Sequence, residues 1–151
     1  DLLHRLFEAC SDAASSSWGM VEAIGAIIAA KPDIFGAFTR HLFNYMGDPG
    51  TREAVLWGLG EIAATRADLI RKTPFYSLFP VLNHANPQMR ALTVRLLGRI
   101  QAQETAFQIV ALHTDESPVS FLDQGKAVTT TVAALAREAT AAIHEAKTNG
   151  Q

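Results

Sequence analysis

DPGTREAVLWGLGEIA, Asp48–Ala63, returns further along the chain as NPQMRALTVRLLGRIQ, Asn86–Gln101. Each copy opens on a short acidic or amide residue followed by proline, Asp48-Pro49 and Asn86-Pro87. Asp and Asn are good helix N-caps, because the side-chain oxygen accepts an orphan backbone N–H. Proline suits the first helical position, where its missing N–H costs nothing. Arg52 and Arg90 follow at the same offset, and each copy closes on Leu-Gly, at Gly60 and Gly98, with Ile two residues later. Asp48/Asn86, Arg52/Arg90 and Gly60/Gly98 all stand 38 residues apart. A looser third copy lies upstream in Trp18, Val21, Ile24, Gly25 and Ile27, with Gly25 placed 35 residues before Gly60. A helical period of this length is the sequence mark of stacked helix pairs.

Working outward, the other segments read as the first helices of those pairs, or as connections. Leu2, Leu3, Leu6 and Phe7 have helical spacing, and Ser11–Ser17 is a polar loop before the helix Trp18–Ala30. Pro32 and Asp33 start a helix through Met46, and Thr73-Pro74 starts another carrying Phe75, Leu78, Phe79 and Leu82. Glu104–His113 reads as a helix with Phe107, Val110 and Ala111 inward. Ser117–Val128 then alternates apolar and polar residues around Asp123-Gln124-Gly125, the pattern of a small β-hairpin or extended loop. Thr129–Lys147 reads as the last helix, its start weakened by β-branched threonines.

In its repeated stretch the chain resembles the HEAT repeat family, in particular the phycobilisome-lyase-type HEAT-like repeats. The residues that carry the resemblance are Asp48, Arg52, Ala54, Leu56, Leu59, Gly60 and Ile62, then Asn86, Arg90, Ala91, Val94, Leu97, Gly98 and Ile100, with Pro80 as the proline of a kinked first helix. The resemblance implies an all-α fold, an α-solenoid of about four HEAT-like helix pairs, with a small β-hairpin or extended loop before the last helix. It implies one domain over residues 1–151 and gives Arg52 and Arg90 the role of bonding neighbouring repeats. It says little of function, because such repeats serve scaffolds, adaptors and some enzymes.

Phasing the second helices on their glycines sorts their residues. Val21, Leu56, Val94, Ile24, Leu59 and Leu97 share the packed face. Glu22, Trp57, Glu61, Arg95 and Arg99 fall opposite, with Ala54 and Leu92 beside them. In a HEAT solenoid this is the concave side, so Glu22, Trp57, Glu61, Leu92, Arg95 and Arg99 form an expected partner-binding strip. An outward Trp57 leaves apolar area for a partner to cover, and Trp is enriched at binding hot spots. The hairpin, a preceding segment or a second subunit would cover it equally well. Arg95 and Arg99, at i and i+4, suit a carboxylate or phosphate, or form a solvated face.

Other classes draw less support. A net charge of −2 sets up no field for nucleic acid or anionic lipid. The longest apolar run, Ile24–Ala30, is too short to span a bilayer. One cysteine, Cys10, allows no internal disulfide and fits a reducing, cytoplasmic setting. His4, His41, His84, His113 and His144 make no i, i+4 pair and no zinc-ligand cluster, although His113, Asp115 and Glu116 form a compact polar loop. No cofactor motif stands out; Gly58-Leu59-Gly60 lies within a helix. The expected function is a non-catalytic protein-protein interaction or scaffold module that binds a protein partner on its second-helix face. No metal, cofactor, nucleic acid or membrane is expected, and self-association is an open possibility. The rival reading is a HEAT-like enzyme or nucleic-acid-processing module using Trp57, Glu61, Arg95 and Arg99.

Overall fold

The computed structural model describes residues 39–149. The Trp18 copy of the repeat, the helices expected before residue 39, Cys10 and Glu22 lie outside the described residues. The chain divides into two compact units, residues 1–73 and 74–151.

In the first unit, α1 (Thr39–Leu42) runs into a 3-10 turn at Phe43–Tyr45, and α2 (Arg52–Thr65) and α3 (Ala67–Arg71) follow. The regular α2 helix starts three residues later than its proline suggests. Asp48 makes the bonds of an N-cap, Oδ1 accepting from Gly50 N at 2.9 Å and its carbonyl from Arg52 N at 3.0 Å, but residues 49–51 form a turn and Thr51 stands at the N-cap position without a side-chain cap bond. The Thr51 hydroxyl donates to Tyr45 O at 2.8 Å, and Arg52 Nε donates to Met46 O at 2.7 Å. Both ties fasten α2 to the turn before it, and this is the use the chain makes of Arg52.

The second unit is built on α4 (Pro87–Arg99). Here the expected cap forms: Asn86 Oδ1 accepts from Gln88 N at 2.9 Å, with Pro87 in the first turn. The helix ends with Gln101 at φ 54°, while Gln101 N donates to Gly98 O and Ala102 N to Leu97 O. Those are the two bonds of a Schellman ending, with glutamine where glycine is usual. Gln103–Thr105 is a 3-10 turn, followed by α5 (Ala106–Val110), β1 (Pro118–Asp123), β2 (Lys126–Thr131) and α6 (Val132–Asn149). The core lies where α4 packs on α6, on the 3-10 segment Phe75–Asn83 and on β1.

The all-α solenoid is corrected by this structure. A two-stranded antiparallel sheet is present, six α-helices occur among the described residues, and no solenoid is seen. The two expected first helices that lie wholly among the described residues supply little α-helix. Phe75–Asn83 is a 3-10 helix with Pro80 inside it. Proline has no N–H for an α-helical bond, and its ring clashes with the carbonyl four residues back. Glu104–His113 reduces to the five-residue α5, with a 3-10 turn before it and hydrogen-bonded turns after it, and Phe107 and Val110 face outward rather than inward.

The hairpin expected within Ser117–Val128 is present, and longer than that span. Gln124 and Gly125 have φ of 52° and 83°, as a two-residue type I′ turn needs. Asp123 pairs with Lys126, Phe121 with Val128 and Val119 with Thr130. Thr129–Thr131 joins β2 instead of opening the last helix, because β-branched side chains favour the strand. The Thr131 hydroxyl then accepts from Ala134 N at 3.1 Å and caps α6. No helix among the described residues is long and apolar enough to cross a membrane.

Candidate functional site

The expected strip rests on helices with one solvent-facing side, and neither α2 nor α4 has much of one. Every residue from Ala54 to Ala63 on α2 is buried, Trp57 and Glu61 among them at 8% exposure each. A helix that is apolar all round is packed all round. The signal was in the sequence: Glu61 is the one charged residue between Ala54 and Ala64. Leu92, at 1% exposure, is a core residue of α4. Trp57 and Glu61 stand one turn apart in the first unit. Arg95 and Arg99 stand one turn apart in the second, and these two the structure brings together on a common acceptor.

That acceptor is Asp123, at the mouth of the hairpin turn. Its Oδ1 receives Arg99 Nη2 at 2.7 Å and Arg95 Nη1 at 3.4 Å. The Arg95 guanidinium also lies 5.0 Å from the centre of the Phe121 ring, a cation–π arrangement. Alternation along the strands explains the grouping. Residues 119, 121, 123, 126, 128 and 130 share one face of the hairpin, and Val119, Phe121, Asp123, Val128 and Thr130 of that face are buried or half-buried. Arg95 is almost wholly buried, with 4% of its side chain exposed, whereas Arg99 keeps 22%.

Beneath the hairpin these side chains border a half-open cleft of about 330 Å³. Its charged wall is Arg95, Arg99, Asp123 and Glu138. Its apolar wall is Phe121, Val128, Leu135, Ala139 and Ala142, and Gly98 and Thr130 complete it. The cleft depends on Gly98. A Cβ there would stand 2.7 Å from Ala139 Cβ and 2.8 Å from Ala139 Cα, so α4 and α6 meet where only a hydrogen fits. The repeat glycine is thus a packing residue that also sets the width of the cleft. Sequence reasoning reached Arg95 and Arg99 but missed Phe121, Asp123 and Glu138. The alternation of Ser117–Val128 marked the hairpin without showing which helix its inner face would cover.

A second polar cluster is structural. Arg90 Nε donates to Asp115 Oδ2 at 2.9 Å, Nη1 to His84 O at 2.7 Å, and Nη2 to Ser117 Oγ at 3.3 Å. Ser117 Oγ donates to Asp115 Oδ1 at 2.6 Å, and Ala133 N to Asp115 O at 2.6 Å. Arg90 therefore ties the start of α4 to the base of the hairpin and the first turn of α6. Burial pushes the Asp115 carboxyl up, but the Ser117 hydroxyl and the Arg90 guanidinium outweigh it and hold it below the usual range. His113 Nε2 meets Thr140 Oγ1 at 2.8 Å, and Glu116 Oε1 lies 3.4 Å from Arg137 Nη2. His113 and Asp115 are thus engaged within the fold, while the Glu116–Arg137 pair is an exposed one that adds little to stability. Among the described residues no three His, Cys, Asp or Glu side chains are arranged to hold a metal ion.

The chain matches no protein-family model, no curated protein and no solved structure.

Proposed function

We propose that this chain is a non-catalytic protein-binding module and that it takes its partner at the cleft between the hairpin, α4 and α6. The observation that carries the reading is the make-up of that cleft. A basic pair, Arg95 and Arg99, stands beside an aromatic ring and an aliphatic wall of Leu135, Ala139 and Ala142. About 330 Å³ is at the small end of ligand pockets. It suits one acidic side chain of a partner together with an apolar neighbour. The carboxylate would share or replace Asp123 on Arg99, the more exposed arginine, and the apolar neighbour would lie on Ala139 and Ala142. The enzyme or nucleic-acid reading of Trp57, Glu61, Arg95 and Arg99 draws less support, since Arg95 and Arg99 already hold a carboxylate and the chain carries a net −2. The single cysteine favours a cytoplasmic setting. The HEAT-like resemblance we retain as a proposal about the sequence of α2 and α4 only.

The test is affinity capture from cells with wild-type bait, Arg99→Glu bait and Ala142→Phe bait, each shown to be folded by circular dichroism. Arg99→Glu reverses the charged wall and Ala142→Phe fills the apolar one. Both are expected to lose a protein that the wild type retains. Equal recovery of every captured protein by all three baits sinks the proposal.

A further inference from the structure

The two edges of the hairpin are treated differently by the rest of the chain. In a two-residue hairpin the closing pair, here Asp123 and Lys126, is hydrogen-bonded, and pairs then alternate along the ladder. Ser120–Thr129 and Leu122–Ala127 are therefore non-hydrogen-bonded pairs, whose backbone groups point away from the partner strand. On β1 that outer edge is closed. Gln88 Nε2 donates to Ser120 O at 2.7 Å, Ser120 N donates to Gln88 Oε1 at 3.4 Å, and Pro118 brings no N–H at the start of the strand. One side-chain amide thus satisfies both outward groups of Ser120, as a third strand would.

On β2 the outer edge is open. Ala127 and Thr129 are exposed, and among the described residues no hydrogen bond is made to their outward N–H and C=O groups. Residues 127–131 read AVTTT, uncharged, without proline and strongly strand-forming. Natural edges are commonly guarded by a charge, a proline or a bulge. Here Lys126 at the turn is the one charge on the strand.

We infer that this edge pairs with the same edge of a second copy of the chain, antiparallel about a two-fold axis at Val128. Ala127 then faces Thr129 of the second copy, and Thr129 faces its Ala127, giving four main-chain hydrogen bonds from groups that are already exposed. Val128 meets its own copy as a β-branched cross-strand pair. Lys126 falls opposite Thr130 rather than opposite another lysine, so the one charge on the strand does not oppose itself. This match of hydrogen-bonding groups, small side chains and charge is what selects a second copy as the occupant. The inference does not depend on the proposed partner at the cleft.

A strand pair of this length is small beside the roughly 1,600 Å² of an ordinary stable interface, so association is expected at high concentration only. Sedimentation from about 10 µM to about 1 mM tests it, since small interfaces associate within that range. The weight-average mass is expected to climb from 16.3 kDa toward twice that value. Ala127→Lys with Thr129→Lys sets lysines against lysines twice across the axis, on the exposed face of the hairpin, and is expected to remain a monomer. Ala127→Glu with Thr129→Lys sets opposite charges in both places and is expected to associate at least as well as the wild type. Circular dichroism checks that both variants fold. A wild type that stays monomeric throughout overturns the proposal and leaves the edge to a strand from some other protein. So does equal association of the wild type and both double variants.

Discussion

Replacing Gly98 by alanine asks whether the α4–α6 contact is as close as the structure has it. The added methyl would stand 2.7 Å from Ala139 Cβ and 2.8 Å from Ala139 Cα. Carbon atoms pack at about 3.5–4.0 Å, so the helices must part by roughly 1 Å or one must bend. The clashing atoms are backbone and Cβ of an 18-residue helix, not the movable end of a long side chain. Overpacking of this kind costs about 1–3 kcal/mol, and the better helix propensity of alanine returns up to about 1 kcal/mol. A net loss of about 1–2 kcal/mol follows, read as a fall in Tm of roughly 4–16 °C for a unit of this size. Adding Ala139→Gly recovers only part, because the Ala139 Cα remains. Gly47→Ala is the control. Nothing lies within 4 Å of its Cβ position, so that change is neutral or slightly stabilising. Thermal and urea unfolding decide the matter. Gly98→Ala as stable as the wild type would refute the close approach and, with it, the account of the cleft's width.

Other consequences can be measured in the same unfolding experiments. Asp123→Asn keeps the side-chain size but removes the charge shared by Arg95 and Arg99, and a lowered urea midpoint worth about 1–2 kcal/mol is expected. Asp115 has a depressed pKa, so its stabilising effect is full above the unfolded value of about 3.9 and fades as pH falls through the folded one. Asp115→Asn is therefore less stable than the wild type at pH 6, and the gap narrows below about pH 4; a gap independent of pH would count against the Arg90–Asp115 account. Gln124→Asn places a residue tolerant of positive φ in the type I′ turn and gains roughly 0.5 kcal/mol. Phe107 is 91% exposed, so Phe107→Ser shifts stability by less than about 0.5 kcal/mol, whereas an inward Phe107 would cost several times more.

How much of this was legible in the sequence can be judged position by position. The Asn86-Pro87 start of α4 and the hairpin turn at Gln124-Gly125 both follow from local chemistry, and local chemistry is what a sequence displays; the close approach of Gly98 to Ala139 does not, because its partner stands on another helix. At Asp48-Pro49 the capping bond to Gly50 N also forms, but the regular helix begins only at Arg52, after a turn over residues 49–51. The departure from a solenoid is also local at Phe75–Asn83, where Pro80 keeps the segment packed on α4 a 3-10 helix rather than an α-helix.

The strip is the more instructive case, because Trp57, Glu61, Leu92 and Arg95 are buried although the periodicity set them on or beside an open face. Arg95 and Arg99 do share a face of α4, apart from the face that buries Leu97. What periodicity cannot state is what stands opposite a face. The hairpin lies there, and it was chosen by the period-two pattern of a segment some 25 residues further on, through Phe121 and Asp123. An arginine pair read as a partner's anion site was met first by a carboxylate of its own chain. That encounter moves the search for binding from the helix face to the rim of the cleft. There Arg99 and Glu138 still reach solvent, and any partner must compete with Asp123.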